Sequence, residues 1–110
     1  MNQKQKLGRL GETFAEQVLS LDGYRIIERN YRCKDGEIDL IAERDDELYF
    51  IEVKTRRSQL FGRPSESVNY KKQQHLRKAA RNYLAESKNY HQYYSFQVIE
   101  ICIEQIRQAF

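Results

Sequence analysis

The chain has 110 residues, 40% hydrophobic and 32% charged, with a net charge of +3. That length and apolar content suit one domain with one modest core, spanning residues 1–110. No apolar run is long enough to cross a membrane, and no apolar segment follows the first residues, so neither a membrane helix nor a secretory leader is expected. Cys33 and Cys102 stand far apart without paired ligand spacing, which fits a reducing, cytoplasmic setting.

Taken in chain order, the first element is a helix over about Gly8–Leu21. Leu7, Leu10, Phe14, Val18 and Leu21 share one face and are the expected core contact. Asp22-Gly23 supplies the stop. Gly8 and Gly11 cost helix propensity; either another backbone approaches closely there, or the first turn is frayed. Strands follow at Tyr24–Tyr31, Glu37–Arg44 and Leu48–Thr55, separated by turns at Lys34-Asp35-Gly36 and Asp45-Asp46. Alternation in the second strand puts Ile38, Leu40 and Ala42 on one face and Glu37, Asp39 and Ile41 on the other. In the third, Tyr49, Ile51 and Val53 oppose Leu48, Phe50, Glu52 and Lys54. A loop over 56–66 leads to a second helix over about Ser67–Ser87, capped by Ser65 or Ser67. Its apolar face is Val68, Leu76, Ala79, Ala80, Tyr83 and Leu84. Tyr93–Ile103, rich in aromatic and β-branched residues, reads as one or two strands.

Charge is unevenly spread. Residues 1–54 carry 9 basic and 12 acidic groups, and residues 55–110 carry 10 and 4. The acids gather on the central hairpin. A tight turn at Asp45-Asp46 makes paired positions sum to 91, so Asp39 faces Glu52 and Glu37 faces Lys54 on one side of the sheet. Opposed carboxylates about 4.5–5.5 Å apart at Cβ repel. A divalent cation between them removes the repulsion, and oxygen ligands suit Mg²⁺ or Mn²⁺. The Val53 carbonyl is a further candidate ligand. Lys54 lies within reach to orient a water and stabilise charge on a phosphoryl group. Glu12 lies just past the edge of the helix's apolar face, either aimed at the same site or exposed near the helix start. The bland alternative, a surface ion-pair set of Asp39, Glu52 and Lys54, fits poorly with their place in the most apolar stretch of the chain.

Three segments resemble the bacterial YraN family of proposed endonucleases: Gly8-Arg9-Leu10-Gly11-Glu12, Gly36-Glu37-Ile38-Asp39-Leu40-Ile41 and Phe50-Ile51-Glu52-Val53-Lys54-Thr55-Arg56. Phe61-Gly62, Val68, Lys72, Leu76, Ala80, Tyr83-Leu84 and the ending Ile106-Arg107-Gln108-Ala109-Phe110 fit as well. That family is similar to the PD-(D/E)XK superfamily and to archaeal Holliday junction resolvases. The resemblance implies an α/β, restriction-endonuclease-like fold: a central mixed sheet flanked by helices, in the order α-β-β-β-α-β. It implies metal ligation by Asp39 and Glu52, a catalytic Lys54, and Glu12 as the helix acid. Gly36-Glu37-Ile38-Asp39 stands in place of the superfamily's Pro-Asp, and Ser95-Phe96-Gln97 departs from the family's usual Arg-Phe-Asp.

The expected activity is therefore Mg²⁺- or Mn²⁺-dependent phosphodiester hydrolysis, with DNA ahead of RNA as the polymer and branched DNA as a candidate shape. Two alternatives are a nucleic-acid-binding module without turnover and a protein-interaction domain. Arg56, Arg57 and Arg63 follow the lysine and are candidates to grip phosphates. Lys72 and Gln73 lie on the apolar side of the second helix, where they either reach the site or snorkel. Tyr90, His91, Tyr93 and Tyr94 read as packing at a strand entrance, and His75 and His91 as structural. Cys33 reads as a polar-edge residue and Cys102 as a core one. A homodimer is a further expectation from the resolvase relatives.

Overall fold

The computed structural model describes residues 1–57, 68–87 and 93–110. Helix α1 spans Gln3–Leu21. It begins well before Gly8 because Asn2 and Gln5 form a capping box: the Asn2 side chain accepts from the Gln5 amide at 2.8 Å, and Gln5 Oε1 accepts from the Asn2 amide at 3.0 Å. Gly8 thus sits inside the helix and not in a frayed first turn. Asp22 caps the other end, and Gly23 takes φ +88°, a left-handed conformation that glycine adopts without penalty.

Strands β1 (Arg25–Cys33), β2 (Gly36–Arg44) and β3 (Glu47–Arg57) form an antiparallel meander. Asp45 and Asp46 have φ +52° and +64°, as a two-residue type I′ turn requires. Paired positions from Arg44↔Glu47 to Leu40↔Ile51 keep the register expected from that turn. Helix α2 (Tyr70–Glu86) then carries the chain back over the sheet to β4 (Tyr93–Ile103), a single strand parallel to β3 over its whole length. The sheet order is β1-β2-β3-β4, a mixed sheet with a crossover helix joining its parallel pair. The element order matches the sequence reading. The α2 cap is Asn69, whose side chain accepts from the Lys72 amide at 2.8 Å; Ser65 and Ser67 lie outside the described residues.

Each helix covers one face of the sheet. Under α2, Leu76, Ala79, Ala80 and Tyr83 pack on Ile41, Leu48 and Phe50, with Val68 beside them. Phe50 makes an edge contact with Tyr83, ring centroids 6.0 Å apart. Under α1, Ala15 and Leu19 pack on Leu40, Ala42, Tyr49 and Ile51. This overturns the expected face of α1. Leu10 and Phe14 are 59% and 53% exposed, and Val18 and Leu21 also face solvent. The seam is Gly11, Ala15 and Leu19, one residue round the helix; at Gly11 the helix runs so close to β3 that no larger side chain fits. A Cβ on Gly11 would lie 1.7 Å from Thr55 Oγ1, whereas one on Gly8 would meet nothing within 4 Å. The cysteine readings also exchange: Cys33 packs against the α2-side core, and Cys102 is exposed near the end of β4.

Alternation along β2 fails at one point. Ile38 belongs to the α2-side core, while Leu40, two residues on, belongs to the α1-side core. The β1–β2 ladder steps from Arg29↔Leu40 to Tyr31↔Ile38, and Asn30, between them, has φ +51°. The sheet therefore switches facing at Asn30 and Asp39, a local break that a period-two reading cannot anticipate.

Candidate acidic site

Asp39 stands at that break. Its carboxylate turns toward β3, where Oδ2 accepts the Val53 amide at 2.8 Å. The expected pairs Asp39↔Glu52 and Glu37↔Lys54 are not continued as a ladder; the Asp39 side chain takes the Val53 amide instead. Val53 thus meets the site through its amide, while its side chain packs with the α1-side core.

Glu12 approaches from α1. The contact of Gly11 with Thr55 brings the next residue down onto the sheet. Glu12 is half-buried, and its Oε1 is enclosed without a hydrogen-bond partner. Burial and the nearby Glu37 charge raise its pKa. On the α2 face, Glu52 is only 8% exposed and is the sole charged side chain buried to that degree among the described residues. Its Oε1 is 2.8 Å from Lys72 Nζ. That ion pair raises the Lys72 pKa, principally through the hydrogen bond. Asp39 lies between the two sides. Burial pushes its pKa up to about 7, opposed by the Val53 hydrogen bond and reinforced by the charges of Glu52, Glu12 and Glu37.

Four carboxylates, from Glu12, Glu37, Asp39 and Glu52, therefore share one electrostatic environment. Among the described residues no three Asp, Glu, His or Cys side chains are placed to share one ion as they stand. The donors nonetheless fit a hard divalent cation in kind: all are oxygens, one buried oxygen has no partner, and burial, reinforced by the neighbouring carboxylates, raises the Asp39 pKa to about 7.

A groove of about 540 Å³ runs along α1 past Glu12 and Asp39 and is rimmed by Arg9, Arg29 and Arg32. Sequence reasoning passed over these arginines. Arg9 sits three residues before Glu12, so helical spacing alone puts the two on one side. Arg29 and Arg32 pair with Glu16 and Glu37, at 2.7 and 3.5 Å. Of the residues expected to grip phosphates, Arg56 is held by Glu100 at 2.6 Å, and Arg57 is exposed at the end of β3. Lys72 reaches Glu52. The Gln73 side chain donates to the Val68 carbonyl at 2.8 Å, at the start of α2. Arg63 lies outside the described residues, as do Tyr90 and His91. Lys54 is half-buried on β3, opposite Glu100 of β4. No helix among the described residues is long and apolar enough to cross a membrane.

Comparison with known proteins places the chain by descent. It is 50% identical over 105 residues to a UPF0102 protein of Caldicellulosiruptor bescii, covering 94% of this chain and 87% of that one. A UPF0102 protein of Caldanaerobacter subterraneus is 50% identical over 99 residues, covering 89% and 80%. One from Clostridium botulinum is 40% identical over 105 residues, covering 94% and 85%. The profile of that family matches residues 11–101, which include Glu12, Asp39, Glu52 and Lys54. The chain belongs to the uncharacterised protein family UPF0102.

Proposed function

We propose that this chain is a divalent-cation-dependent endonuclease with a restriction-endonuclease-like fold, of the YraN type, hydrolysing phosphodiester bonds in DNA. The observation that carries the reading is the half-buried Asp39 at a break in the sheet, which feels the charges of Glu52 on β3 and Glu12 on α1, with Lys54 two residues beyond Glu52. A divalent cation would stabilise the negative charge this fold concentrates in a half-buried place. Asp39 and Glu52, with the Val53 carbonyl, would hold Mg²⁺ or Mn²⁺. When bound, the ion supplies Lewis-acid polarisation of a phosphoryl oxygen and acidifies water.

This chain's own residues do the rest. Lys54 orients the attacking water and balances charge growing on the phosphate. Glu12, with one oxygen free of partners, takes the proton from that water. Water adds to phosphorus, the bond to the leaving oxygen breaks, and that oxygen takes a proton from solvent, to which Glu12 later releases its own. Arg9 in the groove and Arg57 past the lysine grip flanking phosphates, with Arg63 as a further candidate. The setting is the cytoplasm, and a homodimer would bring two such sites to two strands.

A second reading, a nucleic-acid-binding module without turnover, is favoured by one observation: Lys72 already neutralises Glu52. Cleavage of labelled duplex, single-stranded, flap and four-way-junction DNA, and of RNA, in Mn²⁺ and in Mg²⁺ separates the two. Products that vanish in Lys54→Ala establish the nuclease. Salt-dependent binding to the same panel with no products establishes the binding module.

A further inference from the structure

Glu52 is a carboxylate in an almost wholly buried position. Such a group is costly without a cation beside it. Two cations compete for that role. One is built in: Lys72 reaches across from the first turn of α2, Nζ 2.8 Å from Glu52 Oε1. That turn is a poor place for an ammonium, since the amino end of a helix carries partial positive charge. Nothing in the helix itself favours the lysine there; Glu52 does. The Lys72 side chain is 49% exposed, so it can swing out to water at little cost. The other candidate is the divalent cation of the proposed site.

We propose that Lys72 is a resident competitor at the acidic site: its ammonium and a divalent cation contend for the same Glu52 carboxylate, and cation entry turns Lys72 out of the ion pair. The inference rests on the metal reading above and adds its regulation. Affinity for the cation is set below what the carboxylates alone would give, and Glu52 stays neutralised when the ion leaves. Lys72 acts on Glu52 and is a positioning residue, distinct from Lys54.

The test is Mn²⁺ titration, following free Mn²⁺ by electron paramagnetic resonance, on the intact chain, Lys72→Met, Lys72→Arg and Glu52→Gln, with thermal melts in EDTA. Lys72→Met keeps the stem and loses the charge. It is expected to bind Mn²⁺ on the order of tenfold tighter than the parent and to melt at lower temperature in EDTA, whereas Lys72→Arg stays near the parent on both counts. Glu52→Gln is expected to lose Mn²⁺ binding. Equal or weaker Mn²⁺ binding by Lys72→Met, in a parent chain that does bind, overturns the competition and leaves the metal reading standing. If neither the parent nor Lys72→Met binds Mn²⁺, the metal reading falls and takes the competition with it. Binding that emerges only in Lys72→Met supports both.

Discussion

The two helices flank one sheet by opposite means. Helix α2 meets it with Leu76, Ala79, Ala80 and Tyr83, the last edge-on to Phe50. Helix α1 meets it with Gly11, Ala15 and Leu19, and leaves Leu10 and Phe14 in solvent. The difference follows from what each helix delivers. Helix α2 closes a core, and bulk serves that purpose. Helix α1 delivers a carboxylate, and its close approach to β3 at Gly11 brings Glu12 to the groove that Asp39 also lines. Gly11 gives up apolar burial to achieve that approach.

The sharpest way to break this contrast is Gly11→Ala. The new methyl would meet Thr55 Oγ1, Cβ and Cγ2, all within 2.9 Å of its ideal position. Either α1 lifts or β3 shifts, at a cost of about 1–3 kcal/mol in urea unfolding. Glu12, the proposed proton acceptor, moves away with the helix, so cleavage should fall too. An unchanged unfolding midpoint would mean that the close approach is not what holds α1 in place.

Much of this was legible in the sequence, for reasons that particular residues make plain. Asp45-Asp46 is a turn whose chemistry fixes register, and five consecutive pairs follow from it. The α2 face was readable because its buried residues are also its apolar ones. The same rule misled on α1, where hydrophobicity peaks at Leu10, Phe14 and Val18 and the contact lies one residue away. Periodicity weighs size and apolarity, whereas close packing against a strand selects their absence; Gly11 was the available clue. The start of α1 was also missed, although Asn2 and Gln5 carry the spacing of a capping box. The break at Asn30 and Asp39 had no such signal. It depends on two neighbouring strands changing face together, which neither strand's own pattern records. Asp39 and Glu52 were singled out as candidates regardless, because charge in an apolar stretch is conspicuous whichever way it points. The Lys72–Glu52 contact depends on where α2 crosses the sheet, which lies beyond local pattern.

One turn before Gly11, Gly8 tests the same contrast from the other side. Nothing lies within 4 Å of its would-be Cβ, and it stands inside α1. Gly8→Ala should therefore stabilise the fold, by up to about 1 kcal/mol, through helix propensity and a less flexible unfolded chain. The paired variants should shift urea midpoints in opposite directions. A loss in both would show that α1 tolerates no added bulk anywhere along the groove, and that proximity to β3 is not the deciding factor.

The smallest expected effect lies at Asp39, where the two helices' contributions meet. Its pKa in the fold is raised from 3.8 to about 7, first by burial. The folded chain therefore holds a proton that the unfolded chain releases. Between pH about 4 and 7 the native state binds more protons, so stability falls as pH rises through that window and levels off above it. Asp39→Asn keeps an oxygen for the Val53 amide and removes the ionisation. Compared with the parent it should flatten this slope and be more stable at pH 8 in EDTA. The gain should be about 0.5–1 kcal/mol, because the partly exposed carboxylate keeps some hydration in the open groove and solvent there screens the neighbouring charges. At pH 4 the two chains should match closely. Adding Mn²⁺ at pH 8 should reverse the order, because the parent gains stability from cation binding and the variant has lost one of the two proposed carboxylate ligands. A slope that persists in Asp39→Asn would move the titration to Glu12, the other carboxylate at the site whose pKa is raised first by burial.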